Sequence, residues 1–209
     1  MEKIYTIMIN EAFEDDEPIC PFCKIYKKLE NNELELILGA SMMEPDVRIK
    51  TNELGFCDNH YSIMYSRGNR LSLALILESH LEYIRTHLNK LEKIETTCYV
   101  CERVEYNLTK VFENAIYLFE ADPDFTHKID RQKYFCLHHF RRFIESGRLH
   151  LNKKKFPAFD KIVTGVTLKY FDALRDDVSW FCKKFDYRYE NEPWYNAKDA
   201  VERALKFLP

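Results

Sequence analysis

Glycine is scarce in this chain, with five in 209 residues, at Gly39, Gly55, Gly68, Gly147 and Gly165. So few exclude a glycine-rich phosphate loop and disfavour a turn-rich β architecture, whereas the many Leu, Glu and Lys favour helices. There is no GxSxG elbow and no spaced pair of carboxylates that would single out an active site. Long apolar runs are missing too. The strongest, Leu73 to Leu77, falls far short of the roughly 20 residues that span a bilayer. At the amino terminus, the apolar stretch of residues 1–10 is broken by Tyr5 and Thr6 and runs toward the acidic stretch Glu14 to Glu17, unlike a signal peptide. A cytoplasmic protein with no membrane role is expected. Charge of one sign is also absent: 31 basic residues face 34 acidic ones, for a net charge of −3, so nothing draws the chain as a whole toward nucleic acid.

Cysteine is what the sequence has in an unusual pattern. Seven occur, and in a reducing compartment paired cysteines point to metal before they point to cross-links. Six of them fall in four motifs: Cys20-Pro-Phe-Cys23, Cys57-Asp-Asn-His60, Cys98-Tyr-Val-Cys101 and Cys136-Leu-His-His139. The two CxxC motifs lie 78 residues apart and the two CxxH motifs 79. The correspondence extends past the cysteines. Glu44-Pro45-Asp46-Val47 matches Asp122-Pro123-Asp124-Phe125, Phe56 and Tyr61 match Phe135 and Phe140, and Gly68 matches Gly147. Such self-similarity is a duplication.

Thiolate and imidazole are the ligands zinc prefers, and four of them close a structural tetrahedral site. The pattern supplies Cys3His twice, so two zinc ions per chain are expected, ahead of an iron–sulfur cluster or redox dithiols. Pairing within each repeat is the simpler arrangement: Cys20, Cys23, Cys57 and His60 for one ion, and Cys98, Cys101, Cys136 and His139 for the other. Exchange of pairs between the repeats, and His138 in place of His139, stay open as alternatives.

The fold class is all-α: a duplicated helical module with a metal site in each half, packed about a pseudo-twofold axis. Residues 1–95 form the first repeat, 96–185 the second and 186–209 an aromatic tail with a last helix, together one integrated domain. Residues 4–9 read as extended. Helices are expected over about 21–38, 70–95, 101–119, 157–185 and 197–207, with shorter ones opened by Pro45, Pro123 and the CxxH pairs. Tyr26, Leu29, Leu36 and Ile37 are core candidates on the first helix. Leu73 or Ala74, Leu77, Leu81, Ile84, Leu88 and Leu91 form an apolar stripe on the second.

Residues 127–155 carry nine basic side chains against Asp130 and Glu145. Within them Arg141, Arg142, Arg148, Lys153, Lys154 and Lys155 make a candidate nucleic-acid face, although a solvated face is the commoner meaning of such a run. His80 and His87 read as surface histidines, Cys182 as a buried inert thiol, and the Tyr187 to Tyr195 cluster as a tail strapped down by its aromatics.

Ile4-Tyr-Thr-Ile-Met-Ile-Asn-Glu-Ala-Phe13, the CPxC at Cys20, Gly55-Phe-Cys-x-x-His-Tyr61 and Gly68-Asn-Arg-Leu71 together resemble an uncharacterised bacterial family, a domain of unknown function found mainly in anaerobic Gram-positive bacteria. The resemblance implies a bacterial cytoplasmic protein and adds no activity or partner. From the residues themselves, the expectation is a non-enzymatic zinc-stabilised protein that engages a protein partner. Nucleic-acid binding and a thiolate-based redox or metal sensor are the alternatives.

Overall fold

The computed structural model describes residues 3–15 and 17–209; Met1, Glu2 and Asp16 lie outside the described residues. Among these the chain is all-helical: α1 (Lys3–Glu14), α2 (Pro21–Leu38), α3 (Pro45–Leu54), α4 (Asp58–Ser66), α5 (Arg70–Thr86), α6 (Leu91–Thr96), α7 (Tyr99–Ala121), α8 (Pro123–Asp130), α9 (Leu137–His150), α10 (Phe156–Lys183) and α11 (Ala200–Phe207). Pro21, Pro45 and Pro123 stand at the first position of their helices, where a missing N–H costs nothing. Asn69 and Asp122 cap α5 and α8 through their side chains. No helix among the described residues is long and apolar enough to cross a membrane.

Residues 4–9 are not extended; they belong to α1. The reason is periodicity: Tyr5, Met8, Ile9, Ala12 and Phe13 recur at helical spacing and all are buried, so burial of that stripe overrides the strand propensity of the Ile and Thr residues. The helix expected over 70–95 is likewise broken. At His87 (φ −132°, ψ 39°) the backbone N–H turns to Ile84 O, while the His87 ring stacks on Tyr83 and its Nδ1 lies 2.9 Å from Tyr83 O. The carbonyl that a continuing helix would use is thereby taken by side chains. A 3-10 turn over Leu88–Lys90 and the short α6 follow. Leu81, Leu88 and Leu91 of the expected stripe are exposed, as is Leu36 of α2, whereas Leu73, Leu29 and Ile37 are buried.

The chain forms two compact units, and they are not the two sequence repeats: one comprises residues 1–25 and 110–209, the other 26–109. In the first, α8, α9 and α11 pack on α10, and α1 packs on α8. Gly147 sits where α9 crosses α10, and a Cβ there would lie 2.4 Å from the Phe159 ring. Its repeat partner Gly68 serves another end, a left-handed turn (φ 79°) between α4 and α5. The tail is tied to α10 by Trp180, whose indole N–H donates to Pro193 O, and by Lys184, whose ammonium donates to the carbonyls of Tyr189, Glu190 and Glu192. The last helix starts at Ala200 rather than 197.

In the second unit α3 and α4 pack on α5, and α3 also meets α6. His80 is not a surface residue. It is buried, with Nδ1 3.0 Å from Asn52 O and Nε2 against Gly55. Cys182 departs from expectation in the opposite sense: it is exposed on α10.

Candidate metal centres

Each of the four motifs is built on the same local plan. Cys57 and Cys136 are the N-cap residues of α4 and α9, with extended backbones (φ −72°, ψ 161° and φ −61°, ψ 151°), and Cys20 and Cys98 directly precede α2 and α7. The second ligand of each motif is then the third residue of its helix. N-cap and third-residue side chains converge on one side of a helix start, the geometry that capping boxes exploit. The N-terminal end of the helix dipole there favours thiolates.

The structure brings these starts together in two pairs. Cys20, Cys23, Cys136 and His139 form one cluster and Cys57, His60, Cys98 and Cys101 the other, with the ligand atoms of each within 4.8 Å of one another. The pairing is therefore the exchanged one, and intra-repeat pairing is corrected: each cluster joins the CxxC of one repeat to the CxxH of the other. Gly55 shows how the second cluster is aligned. It ends α3 in a left-handed conformation (φ 59°), and its carbonyl accepts a hydrogen bond from the Tyr99 N–H at 3.0 Å, setting the CxxH of one repeat beside the CxxC of the other. His139, not His138, is in the first cluster; His138 is exposed beside it.

The separations suit a single ion. A tetrahedral zinc site has edges of about 3.8 Å between sulfurs and about 3.6 Å between sulfur and imidazole nitrogen. Observed sulfur pairs are Cys23–Cys136 at 3.6 Å and Cys57–Cys101 at 3.9 Å. His139 Nδ1 lies 3.2 Å from Cys136, 3.3 Å from Cys23 and 3.8 Å from Cys20. His60 Nδ1 lies 3.2 Å from both Cys57 and Cys98 and 3.5 Å from Cys101. No third ligand set of this kind arises among the described residues.

Electrostatics points the same way. Burial and hydrogen bonding among neighbouring thiols push Cys20 up, and a hydrogen bond with Cys136 pushes Cys23 up to about 12. Burial and the charge of Cys98 push Cys101 up to about 12. Burial raises Cys98 as well, but its hydrogen bond with His60 wins and brings it to about 6; against the lowering by burial, the same contact takes His60 to about 9. Without a cation, then, only part of each cluster can ionise. A divalent ion at the centre would supply the charge that lets every thiol lose its proton.

The two clusters differ in their surroundings. The first is enclosed by aromatic rings: Phe22 and Phe112 stand 6.0 and 6.1 Å from the His139 ring, and Phe13, Phe135 and Phe143 surround Phe22 at 5.5, 6.0 and 4.8 Å. In the second, His60 Nε2 lies 3.2 Å from the carboxylate of Glu30 on α2. Such an outer carboxylate fixes the imidazole so that Nδ1 faces the ion. Sequence reasoning missed Glu30, because its repeat equivalent is Leu108 and its partner stands 30 residues away.

The basic run is partly consumed by ion pairs. Lys128 pairs with Glu14 at 2.6 Å, Arg141 with Glu145 at 3.7 Å and Lys155 with Glu120 at 3.2 Å. The guanidinium groups of Arg142 and Arg148 lie over the rings of Phe112 and Phe156. Lys153 and Lys154 are exposed in the turn before α10.

One family model matches the chain, over two overlapping stretches, residues 1–93 and 84–209; it is described as a family of unknown function (DUF6062). No curated protein and no solved structure matches.

Proposed function

The chain belongs to that family of unknown function, so its role has to be argued from the clusters, and we propose that both are closed structural zinc sites that make this helical protein a stable surface for a protein partner. One observation carries the proposal: each cluster gathers four N/S ligand atoms within 4.8 Å. Three thiolates and one imidazole complete a tetrahedron, which leaves no position for water or substrate, so the sites are structural rather than catalytic. Zinc is the ion that such a soft, four-coordinate set selects over calcium, magnesium or manganese.

Elemental analysis of protein purified without added chelator tests this directly. The expected result is two zinc ions per chain, with loss of helical circular dichroism on chelation. A metal-free chain that stays fully folded would overturn the proposal.

A further inference from the structure

The two clusters share a ligand set, yet they stand in different surroundings. In the first, Cys20, Cys136 and His139 are buried and only Cys23 is partly accessible; in the second, Cys57 is partly accessible and Cys101 is exposed. Cys57 also lines a groove of about 630 Å³ among Phe56, Tyr61, Leu77, Ile84 and Ile94, which opens to solvent. The second cluster can thus be approached from two sides, along the groove and at Cys101.

Comparison of repeat-equivalent positions gives the reason. Around the first cluster stand Phe13, Phe22, Phe112, Phe125 and Phe143; 78 or 79 residues away in the repeat, the matching positions are Leu91, Val100, Leu34, Val47 and Met64. Each of these five has a smaller counterpart, while Phe135 keeps an aromatic one in Phe56. Phe13, 3% exposed, packs on Phe22, Phe125 and Phe135, whereas Leu91 is 38% exposed. Both clusters keep the ligand set, whereas these five phenylalanines, two from the first repeat and three from the second, gather at the first cluster.

A bound ion leaves such a site by ligand exchange. An incoming donor must reach the metal as a thiolate lets go, so an enclosed cluster must first open locally while an accessible one need not. We propose that Cys57, His60, Cys98 and Cys101 form an exchangeable metal site, trading a zinc ion with thiol- or nitrogen-bearing acceptors, while the first cluster keeps its ion. The proposal rests on the zinc reading above and goes beyond it, because the site then acquires a role in metal transfer. Glu30 fits that role: with His60 held in place, an emptied site stays ready to recapture an ion. No change in oxidation state is involved. A zinc–sulfur bond breaks as a zinc–acceptor bond forms, and the freed thiolate takes a proton from water.

The test uses the full chain carrying Cys182→Ser, which removes the exposed thiol outside both clusters. After elemental analysis, excess 4-(2-pyridylazo)resorcinol is added and its absorbance followed. One equivalent of zinc is expected to leave fast and the second at least about tenfold more slowly. In a parallel sample with iodoacetamide, whose carbon accepts the thiolate as iodide departs, mass spectrometry should find early alkylation at Cys57, Cys98 and Cys101. Cys101→Ser should abolish the fast phase, and the alkylation map decides the question even if that variant folds poorly. A single release rate for both ions, or early alkylation at Cys20, Cys23 and Cys136, overturns the proposal and leaves the zinc reading intact. Fewer than two ions at the outset overturns both.

Discussion

Glu30 gives the sharpest test of how the second cluster is built. Its Oε1 lies 3.2 Å from His60 Nε2, in a pair whose side chains are 16% and 1% exposed. Removing an outer-shell partner of a metal-bound histidine weakens metal binding by about 10- to 100-fold, or about 1.4 to 2.7 kcal/mol. The low exposure of both groups argues for the upper part of that range in Glu30→Ala, since the imidazole N–H would be left buried without an acceptor. Glu30→Gln keeps a neutral acceptor and should lose less. Competition with a chromophoric chelator under equilibrium conditions reads the affinity, and elemental analysis of the first cluster's ion serves as the internal reference. Two outcomes refute the reasoning: unchanged affinity in Glu30→Ala, or equal losses at both clusters, which would mean that the substitution acts through general unfolding.

Gly147→Ala should destabilise the protein although alanine favours helix, because the new Cβ would stand 2.4 Å from the buried Phe159 ring; overpacking costs about 1–3 kcal/mol and the propensity gain returns only about 1. Gly165→Ala, in α10 with nothing within 4 Å, should instead raise the melting temperature by a few degrees, and thermal unfolding of the two variants checks the contrast. Zinc affinity at the second cluster should fall on acidification, because Cys101, near 12, and His60, near 9, must both lose protons for the ion to bind; isothermal titration at pH 8, 9 and 10 should show tighter binding as pH rises, with fewer protons released as His60 passes its own titration near 9. Lys184→Met should loosen the tail by removing three hydrogen bonds to its carbonyls, seen as a shift in Trp180 and Trp194 fluorescence and as faster proteolysis between residues 187 and 196.

Most of the helical plan was legible, since prolines at first positions and glycines at ends mark boundaries chemically. The ligand types were legible for the same reason: a CxxC or CxxH at a helix start is a local device. Their pairing was not. Nothing local distinguishes Cys20 closing on His60 from Cys20 closing on His139, because the choice is made by which helix starts meet in three dimensions. Helix α1 was missed because Ile and Thr suggested a strand, although Tyr5, Met8, Ile9, Ala12 and Phe13 already held the helical period. His80 and Cys182 were misplaced because burial depends on partners from other elements. His80 is held by Asn52 O and lies against Gly55, and Cys182 falls on an uncovered face of α10.

Crosswise pairing also bears on what an ion at each cluster would contribute. A metal that joins distant segments restricts the unfolded chain, and the loop is longer at the first cluster, where Cys23 and Cys136 are 113 residues apart, than at the second, where His60 and Cys98 are 38 apart. Loop-closure entropy grows only logarithmically, so the difference is about 1 kcal/mol, or roughly fivefold in an equilibrium. That is too little to separate a permanent site from an exchanging one. The aromatic enclosure is the larger asymmetry, because opening it would expose rings that are now almost fully buried, and each such ring contributes about 1.5–3 kcal/mol. A release gap far above fivefold would thus come from the phenylalanines that surround the first cluster and have smaller repeat equivalents. Phe13→Leu and Phe22→Val, which install the second cluster's residues at the first, should narrow that gap if the enclosure sets it.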